Sequence, residues 1–316
     1  LLDKKFTVKF INPRSTCLRR KELGMSAKND RKDSILIAEM LSEKKFWRSV
    51  TRTTQETDKL REITRLYHQL QEQQNEDMNR LQRALDIVFP EVNKLSWTRY
   101  SKAYMQFLAK YPTAASIASE DIRNLHNALK TNGRGRQCKL TAEDIKKAAK
   151  CSVGEDNIAI ALEVQSIIAI INTRKQQIEN LENKIEEFSL ELNSPIISIP
   201  GISHITGMTI IAEIGDIHDF SDAAHLISYA GMEPLVHQSG KYDAAHMPIS
   251  RYLRKALYQA VFTVCKYCPI FNAYYTKKRN QGKTHRCAQG HCVRKLLRVI
   301  YKLLASNTTF DENLVR

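Results

Sequence analysis

Two aspartates three residues apart, Asp30 and Asp33, are a pair whose type and spacing suit phosphoryl-transfer chemistry. This spacing places both carboxylates on one face of a helix, close to its first turn. Carboxylate oxygens are ligands that Mg²⁺ prefers, and bound divalent ions activate phosphodiesters for in-line displacement. An ordinary N-cap followed by a first-turn acid gives the same pattern, so the spacing alone leaves both interpretations open.

A second group with chemical potential is the tripeptide Ser239-Gly240-Lys241, which we expect on a loop. The glycine lets a phosphate approach the backbone closely, and Lys241 supplies positive charge. A serine hydroxyl becomes a nucleophile when neighbouring groups help it to lose its proton and stabilise the charge that develops. A polar turn without any catalytic role has the same composition.

Four cysteines near the C-terminal end, Cys265, Cys268, Cys287 and Cys292, are spaced roughly like the ligands of a zinc ribbon. The first pair lies in and directly after an apolar helical pattern, however, and the second lies in a helical stretch rich in lysine and arginine. No glycine follows either pair as in a zinc knuckle. The odd total of seven cysteines, without a secretory signal, favours free thiols in a reducing compartment.

Basic residues interleaved with tyrosines dominate the C-terminal stretch. This combination is typical of a groove that binds nucleic acid, although a solvated helix face has a similar composition. The basic residues are Lys277, Lys278, Arg279, Lys283, His285, Arg286, Arg294, Lys295, Arg298 and Lys302, and the aromatic ones are Tyr274, Tyr275 and Tyr301. Of these, we predict nucleic-acid contacts for Lys278, Lys283 and Arg294, together with Lys241 and Arg254.

The net charge supports the same partner. Lysine and arginine number 49 against 34 acidic residues, which gives +15 and an isoelectric point near 9.5. The excess is spread along the chain, and nucleic acid is the usual partner of such a protein. No apolar run is long enough to cross a membrane. We therefore expect DNA as the partner, no membrane, and a cytoplasmic, nucleoid-associated location.

Hydrophobic periodicity predicts a mostly helical protein that positions these groups. Residues 6–11 are typical of a strand, and a helix is expected to start near Asp30, with Ile35, Ile37, Ala38 and Leu41 as its apolar residues. Long helices are predicted over 55–89, ended by Pro90, and over 156–192, with shorter helices within 114–150. The second long helix carries a near-heptad apolar stripe, which suits either packing on its own domain or a coiled coil.

The segment after residue 195 has the pattern of a helix-hairpin-helix motif, with Gly201 and Gly207 at its turns. In that motif, backbone amides at the turn bind DNA phosphates without reading the base sequence. One such match is weak by itself, because turns with proline and glycine are common. From Ser221 onward, we expect helices joined by loops.

Together, these segments resemble the insertion-sequence-110 family of transposases, almost from end to end. The first two matching segments resemble the end of that family's RuvC-like nuclease domain, and the other three resemble its C-terminal transposase domain. The segments are VKFINP, SAKNDRKDSILIAEML, SIPGISHITGMTIIAEIGDIHDF, LISYAGMEPLVHQSGK and YYTKKRNQGKTHRCAQGHCVRKLLRVIYKLL.

The resemblance implies a mechanism and a set of partners. Asp30 and Asp33 would be the last two members of an Asp-Glu-Asp-Asp tetrad that binds Mg²⁺. Ser239 would be the catalytic serine, attacking a phosphodiester and holding the DNA covalently while strands exchange. Family members work as multimers with a structured guide RNA, so guide RNA and a homo-oligomer are implied as well.

The resemblance also implies an α/β remnant of the RuvC-like domain over 1–60, a helical region with the coiled coil over 61–195, and the serine-bearing transposase domain over 196–316. The first Asp and the Glu of the tetrad would lie upstream of Leu1, so we expect an N-terminally truncated chain that is inactive, or nearly so, by itself. The segment HMPISRYLRKAL lacks the basic, glycine-containing turn usual before its Arg-Tyr-Leu-Arg run. Two alternatives therefore remain: a decayed copy that only binds nucleic acid, and a coiled-coil scaffold.

Overall fold

The computed structural model describes residues 9–11, 13–24, 29–43, 47–49, 55–95, 97–130, 140–232, 238–239, 242–243 and 250–312. The fold is mostly α, as predicted. The α-helices of the described residues are α1 Pro13–Glu22, α2 Asp30–Ser42, α3 Gln55–Val88, α4 Lys102–Lys110, α5 Ala114–Ser119, α6 Ile122–Lys130, α7 Ala142–Lys150, α8 Ile158–Leu192, α9 His204–Ile214, α10 Ala223–Tyr229, α11 Arg251–Tyr267, α12 Pro269–Asn280 and α13 His285–Ser306.

Four short strands form two antiparallel pairs within the described residues. The strands are β1 Lys9–Ile11, β2 Trp47–Ser49, β3 Gln238–Ser239 and β4 Tyr242–Asp243. β1 pairs with β2, and β3 pairs with β4. β1 coincides with the last part of the strand predicted over 6–11, whose first residues lie outside the described part. The β3–β4 hairpin was not predicted, because two-residue strands carry no detectable alternation.

The two long helices match their predictions closely and pack on each other. α3 ends at Val88, and Pro90 then opens a 3-10 turn, since proline lacks the amide donor that a helix needs. α8 starts after Asn157, whose side chain accepts from the amides of Ala159 and Ile160 at 3.0 and 3.4 Å.

The near-heptad stripe of α8 is covered from within the chain. Ile171, Ile178 and Ile185 are buried, and α8 contacts both α3 and α9. Beside the stripe, Arg174 forms an ion pair with the buried Asp77 carboxylate of α3: Nε donates a hydrogen bond of 3.0 Å to Oδ2, and Nη2 lies 2.9 Å from the same oxygen. Packing on its own domain, one of the two alternatives, therefore describes the buried part of this helix. A coiled coil with a second copy stays a prediction.

Three apolar clusters organise the described helices. One joins α9 to α13 around side chains such as Leu257, Phe271 and Leu296. A second joins α4 to α7 with the end of α3 and the start of α8. The third links the other two through α3, α8 and α9, with Leu60 and Met208 fully buried. α3 passes through residue 60 without a break, and the domain boundaries predicted at 60 and 195 stay a prediction.

In the N-terminal part, α2 begins at Asp30, as predicted, but the apolar residues named for it are not the ones that it buries. Leu36 and Met40 are the buried residues, whereas Ile35 and Ile37 are 54% and 40% exposed. The pattern misled because Leu36 and Met40, four residues apart, lie on the face that the strand and α1 cover. The RuvC-like character of this part stays a prediction.

Candidate functional site

The two aspartates lie together at the start of α2, where the sequence placed them. The N-cap is Asn29, whose side chain accepts from the Lys32 amide at 2.8 Å, and both carboxylates belong to the first turn. Acids in this position are stabilised by the helix dipole. The carboxylate of Asp33 forms an ion pair with Arg20 of α1, a partner that the sequence analysis missed. Asp30 is exposed to solvent.

The metal predicted at these aspartates can be tested against this arrangement. Arg20 competes with a cation for Asp33. Within the described part of the chain, no three histidine, cysteine, aspartate or glutamate side chains form a group able to hold a metal ion. Since a site for phosphoryl chemistry needs further carboxylates or substrate phosphates, these two carboxylates do not fit a metal ion by themselves.

Ser239 lies in the β3–β4 hairpin, where it pairs with Tyr242. Lys241 falls outside the described residues. The segment 233–249, which contains the hairpin, joins α10 to α11. Just before this segment, the Met232 carbonyl accepts a hydrogen bond of 2.6 Å from Nε of Arg294. Arg294 is thus placed next to the serine segment, as well as in the basic region predicted to bind nucleic acid.

The predicted catalytic groups are not joined by the described contacts. No hydrogen bond or ion pair of a described side chain connects Asp30 or Asp33 with the residues that flank the Ser239 segment. The catalytic and metal-binding roles of these three residues stay predictions.

Three of the predicted nucleic-acid contacts lie around one histidine of α13. The pKa of His291 is lowered by partial burial and then by the positive charges of Lys278, Arg294 and Lys283. These cations, which come from α12, α13 and the turn between them, therefore act on one region of the surface. Arg254 is exposed on α11.

Beside this region is a groove of about 480 Å³ between α12, α13 and the chain that follows α13. Lys277, Lys295, Arg298 and Lys302 line it. Lys295 lies over the ring of Tyr274, with its Nζ 5.0 Å from the centroid. Cations around an aromatic ring are a combination that binds phosphates and stacks bases. We call the four cations and Tyr274 the basic groove.

The two glycines of the helix-hairpin-helix pattern have packing roles. Gly201 adopts a φ of +96°, and a Cβ there would lie 2.7 Å from the Thr263 carbonyl of α11. A Cβ on Gly207 would lie 2.4 Å from the Ile197 side chain. The first of the two helices in the pattern is a 3-10 turn, Pro195–Ser198, and the second is α9. Close packing accounts for both glycines, and their contact with phosphates stays a prediction.

The cysteines of the zinc-like pattern are distributed over the C-terminal core. Cys268 and Cys292 are fully buried, whereas Cys287 is exposed. A hydrogen bond with Cys265, together with burial, raises the pKa of the Cys292 thiol. The buried Cys292 thiol of α13 is therefore protonated and packs as a small apolar group.

A buried polar junction between α3, α9 and α11 was missed by the sequence analysis. Glu213 of α9 is 2% exposed, and Arg65 of α3 donates two hydrogen bonds to its carboxylate, at 2.6 and 3.0 Å. Four residues earlier, Arg61 donates to the Ala212 carbonyl at 2.7 Å. The one signal in the sequence was an acid within the apolar run from Ile210 to Ile214.

Comparison with known proteins decides the family. A model described as the transposase IS116/IS110/IS902 family matches residues 193–276, and a DEDD transposase model of IS110 type matches residues 1–90. The chain belongs to the IS110/IS116/IS902 family of transposases. The first match covers α9, the Ser239 hairpin and α11, and the second covers the two aspartates and α3.

Individual relatives agree with this assignment. The insertion element IS110 uncharacterized 43.6 kDa protein of Streptomyces coelicolor is 24% identical over 299 residues, covering 91% of this chain and 73% of the relative. The mini-circle putative transposase for IS117 of the same organism is 27% identical, covering 65% and 52%. The pilin gene-inverting protein of Moraxella bovis is 34% identical over 132 residues, covering 39% and 41%.

Among the described residues of this transposase family member, no helix is long and apolar enough to span a membrane.

Proposed function

We propose that this transposase cuts and rejoins DNA through a covalent intermediate on Ser239. The observation that supports this most strongly is the family match over 193–276, which includes the serine hairpin. A relative similar to part of the chain is named for inverting a pilin gene, and inversion requires DNA strands to be cut and rejoined.

The chemistry follows from the serine hydroxyl. The Ser239 oxygen attacks the phosphorus of a phosphodiester, the bond to one deoxyribose oxygen breaks, and that oxygen leaves as a hydroxyl after taking up a proton. Attack by the hydroxyl of another strand on the phosphoserine reverses the process and releases the serine. One phosphodiester is replaced by another, so the reaction needs no external energy source.

The basic groove and the cations around His291 are proposed to bind the DNA backbone. The chain carries +15, and this surface concentrates part of that excess next to Arg294, which also holds Met232 before the serine segment. Cations that neutralise phosphates release counterions, which favours binding at low salt.

The family resemblance adds three further properties that we propose for this protein. They are Mg²⁺ at Asp30 and Asp33, a structured guide RNA and a homo-oligomer. Since these two carboxylates do not fit a metal ion by themselves, no chemical step is assigned to the ion.

A covalent protein–DNA adduct that survives denaturation provides the test. Because the resemblance predicts that this chain is inactive, or nearly so, without the first two members of the tetrad, the chain is extended with the corresponding upstream half of an intact relative. The extended chain is incubated with end-labelled element DNA and the RNA transcribed from that element, and then separated under denaturing conditions. We expect a protein–DNA band that disappears in Ser239→Ala and persists in Ser228→Ala, which removes an exposed hydroxyl from α10 of the same domain. A band that persists in Ser239→Ala would refute the role of the serine.

The second candidate is a protein of the same family that binds nucleic acid without cutting it. The ion pair between Arg20 and Asp33 favours it, because one of the two predicted metal ligands is already neutralised. The same experiment separates the candidates: salt-sensitive binding without any adduct in the extended chain with Ser239 intact supports the second.

A further inference from the structure

The buried carboxylate of Glu213 connects more than the two helices on either side of it. Its Oε2 accepts from the Arg65 guanidinium and also from the Ser250 hydroxyl, at 2.6 Å. Ser250 is the N-cap of α11 and follows the segment 233–249 directly. The carboxylate therefore holds the chain at the point where the Ser239 segment ends.

The other end of that segment is tied to the same residue. The Tyr229 hydroxyl, at the end of α10, donates to the Glu213 carbonyl at 3.1 Å. The Tyr229 ring is partly exposed and lies edge-on to Phe220, with centroids 5.2 Å apart, and this contact orients the hydroxyl. Glu213 thus contacts the chain both before and after the serine segment, one contact through its backbone and the other through its side chain.

On the opposite side, Glu213 is held by the long helix α3. The bidentate Arg65 pair and the Arg61 bond to Ala212 fix α9 against α3 at two points one turn apart. Burial raises the pKa of Glu213, but the hydrogen bonds from Arg65 and Ser250 outweigh it, so the net direction is down. The carboxylate is therefore charged at neutral pH, and charge-assisted hydrogen bonds are stronger and more directional than neutral ones.

We propose that Glu213 is a positioning residue that fixes both ends of the Ser239 segment to α3. It touches neither DNA nor the reacting serine in this role. Its effect is to make the two ends of the segment move as one unit, so that loosening one end loosens the other. Its catalytic consequence, a lower yield of the Ser239 adduct when either end is loosened, rests on the proposed function, whereas the coupling itself is a property of the folded chain.

Hydrogen–deuterium exchange on the complete chain tests the coupling. Tyr229→Phe removes one hydroxyl at the α10 end and keeps the ring. We expect exchange to be at least about threefold faster at the far end, in the first turn of α11, as for the loss of one neutral hydrogen bond. Ser250→Gly, which costs a helix N-cap only a few tenths of a kcal/mol, is expected to speed exchange at the end of α10. Ser250→Thr keeps the hydroxyl and should leave the exchange rate at the end of α10 as in the unmodified chain.

A matched control is Tyr301→Phe, because the Tyr301 hydroxyl donates to the carbonyls of Phe220 and Ser221, at 3.3 and 3.2 Å, without touching Glu213. Its effect on the first turn of α11 should be nil. The proposal is overturned if Tyr229→Phe changes exchange only within α10, or if Tyr301→Phe changes α11 equally.

The adduct experiment separates this inference from the proposed function. Ser239→Ala should abolish the adduct without altering exchange at either end. If no adduct forms but the two ends remain coupled, the serine mechanism fails and the positioning role of Glu213 in the fold stands. If the adduct depends on Ser239 but not on Glu213→Gln or Ser250→Gly, the catalytic consequence of the coupling is refuted.

Discussion

Acid should destabilise this protein through His68, which is buried at the α3–α9–α11 junction. The side chain is 3% exposed and stacks on Tyr252, with ring centroids 5.9 Å apart. Its Nε2 lies 3.3 Å from Oγ1 of Thr209. That hydroxyl donates to the Ile205 carbonyl, so it accepts from Nε2–H, and the ring is neutral with its proton on Nε2. Nδ1 is buried without a hydrogen-bond partner among the described residues.

The magnitude follows from the pKa. The pKa of His68 is lowered from 6.5 to about 4, mainly by burial and then by the charge of Lys255, against the opposing charges of Glu72 and Glu213. Between these two values, the unfolded chain binds a proton that the folded chain excludes. Stability from the neutral ring is therefore complete above pH 6.5 and is lost as the pH falls towards 4. At about 1.4 kcal/mol for each pH unit, the loss amounts to about 3 kcal/mol.

Urea unfolding at a series of pH values between about 7 and about 4 measures this loss. The free energy of unfolding should fall by about 3 kcal/mol more in the unmodified chain than in His68→Gln. His126→Gln, an exposed histidine on α6, serves as the control and should follow the unmodified chain. The lowered pKa of Glu213 acts in the same direction but is common to all three proteins. Parallel pH profiles for the unmodified chain and His68→Gln would refute the reasoning.

Three further predictions concern binding, metal and packing. DNA affinity should fall steeply with salt. Lys278→Ala should reduce the slope of log affinity against log salt by about 1, whereas Lys150→Ala on α7 should not. Equal slopes in the unmodified chain and both variants would contradict the proposal that Lys278 contacts DNA phosphates. Calorimetry should find only weak Mg²⁺ binding to this chain without DNA, and a tight site abolished by Asp30→Ala would show that the two carboxylates suffice. Gly201→Ala should lower the free energy of unfolding by about 3 kcal/mol, because φ is positive and the added Cβ meets backbone atoms. Gly282→Ala should lower it by only about 1 kcal/mol, because φ is +77° but the space around it is open. Equal losses would contradict the packing role of Gly201.

The long helices were predictable because their signal is repeated many times. Each turn of α3 and α8 adds another apolar residue at helical spacing, and Pro90 marks a stop, so the observed ends lie within two residues of those predicted. The start of α2 at Asp30 was equally accessible, because polar capping residues precede it. Its inward face was not, since several apolar residues compete in a helix of 13 residues.

The polar contacts were not predictable, because each joins residues that are distant in sequence. Arg20 and Asp33 lie on separate helices, and Arg65 and Glu213 are 148 residues apart. In the sequence, Arg65 belongs to a charged face that looks solvated, and Glu213 interrupts an apolar run. Only the packing of α3 on α9 shows that the two charges meet in a buried junction.

Ser239 is proposed to carry the DNA during recombination. The most direct measurement is to trap the protein on its DNA, digest both components, and locate the peptide-linked nucleotide by mass spectrometry. We expect a nucleotide phosphate linked to the peptide that contains Ser239, and none on the peptide that contains Ser228. A nucleotide attached to a different residue, or cleaved and rejoined DNA without any covalent peptide, would contradict it.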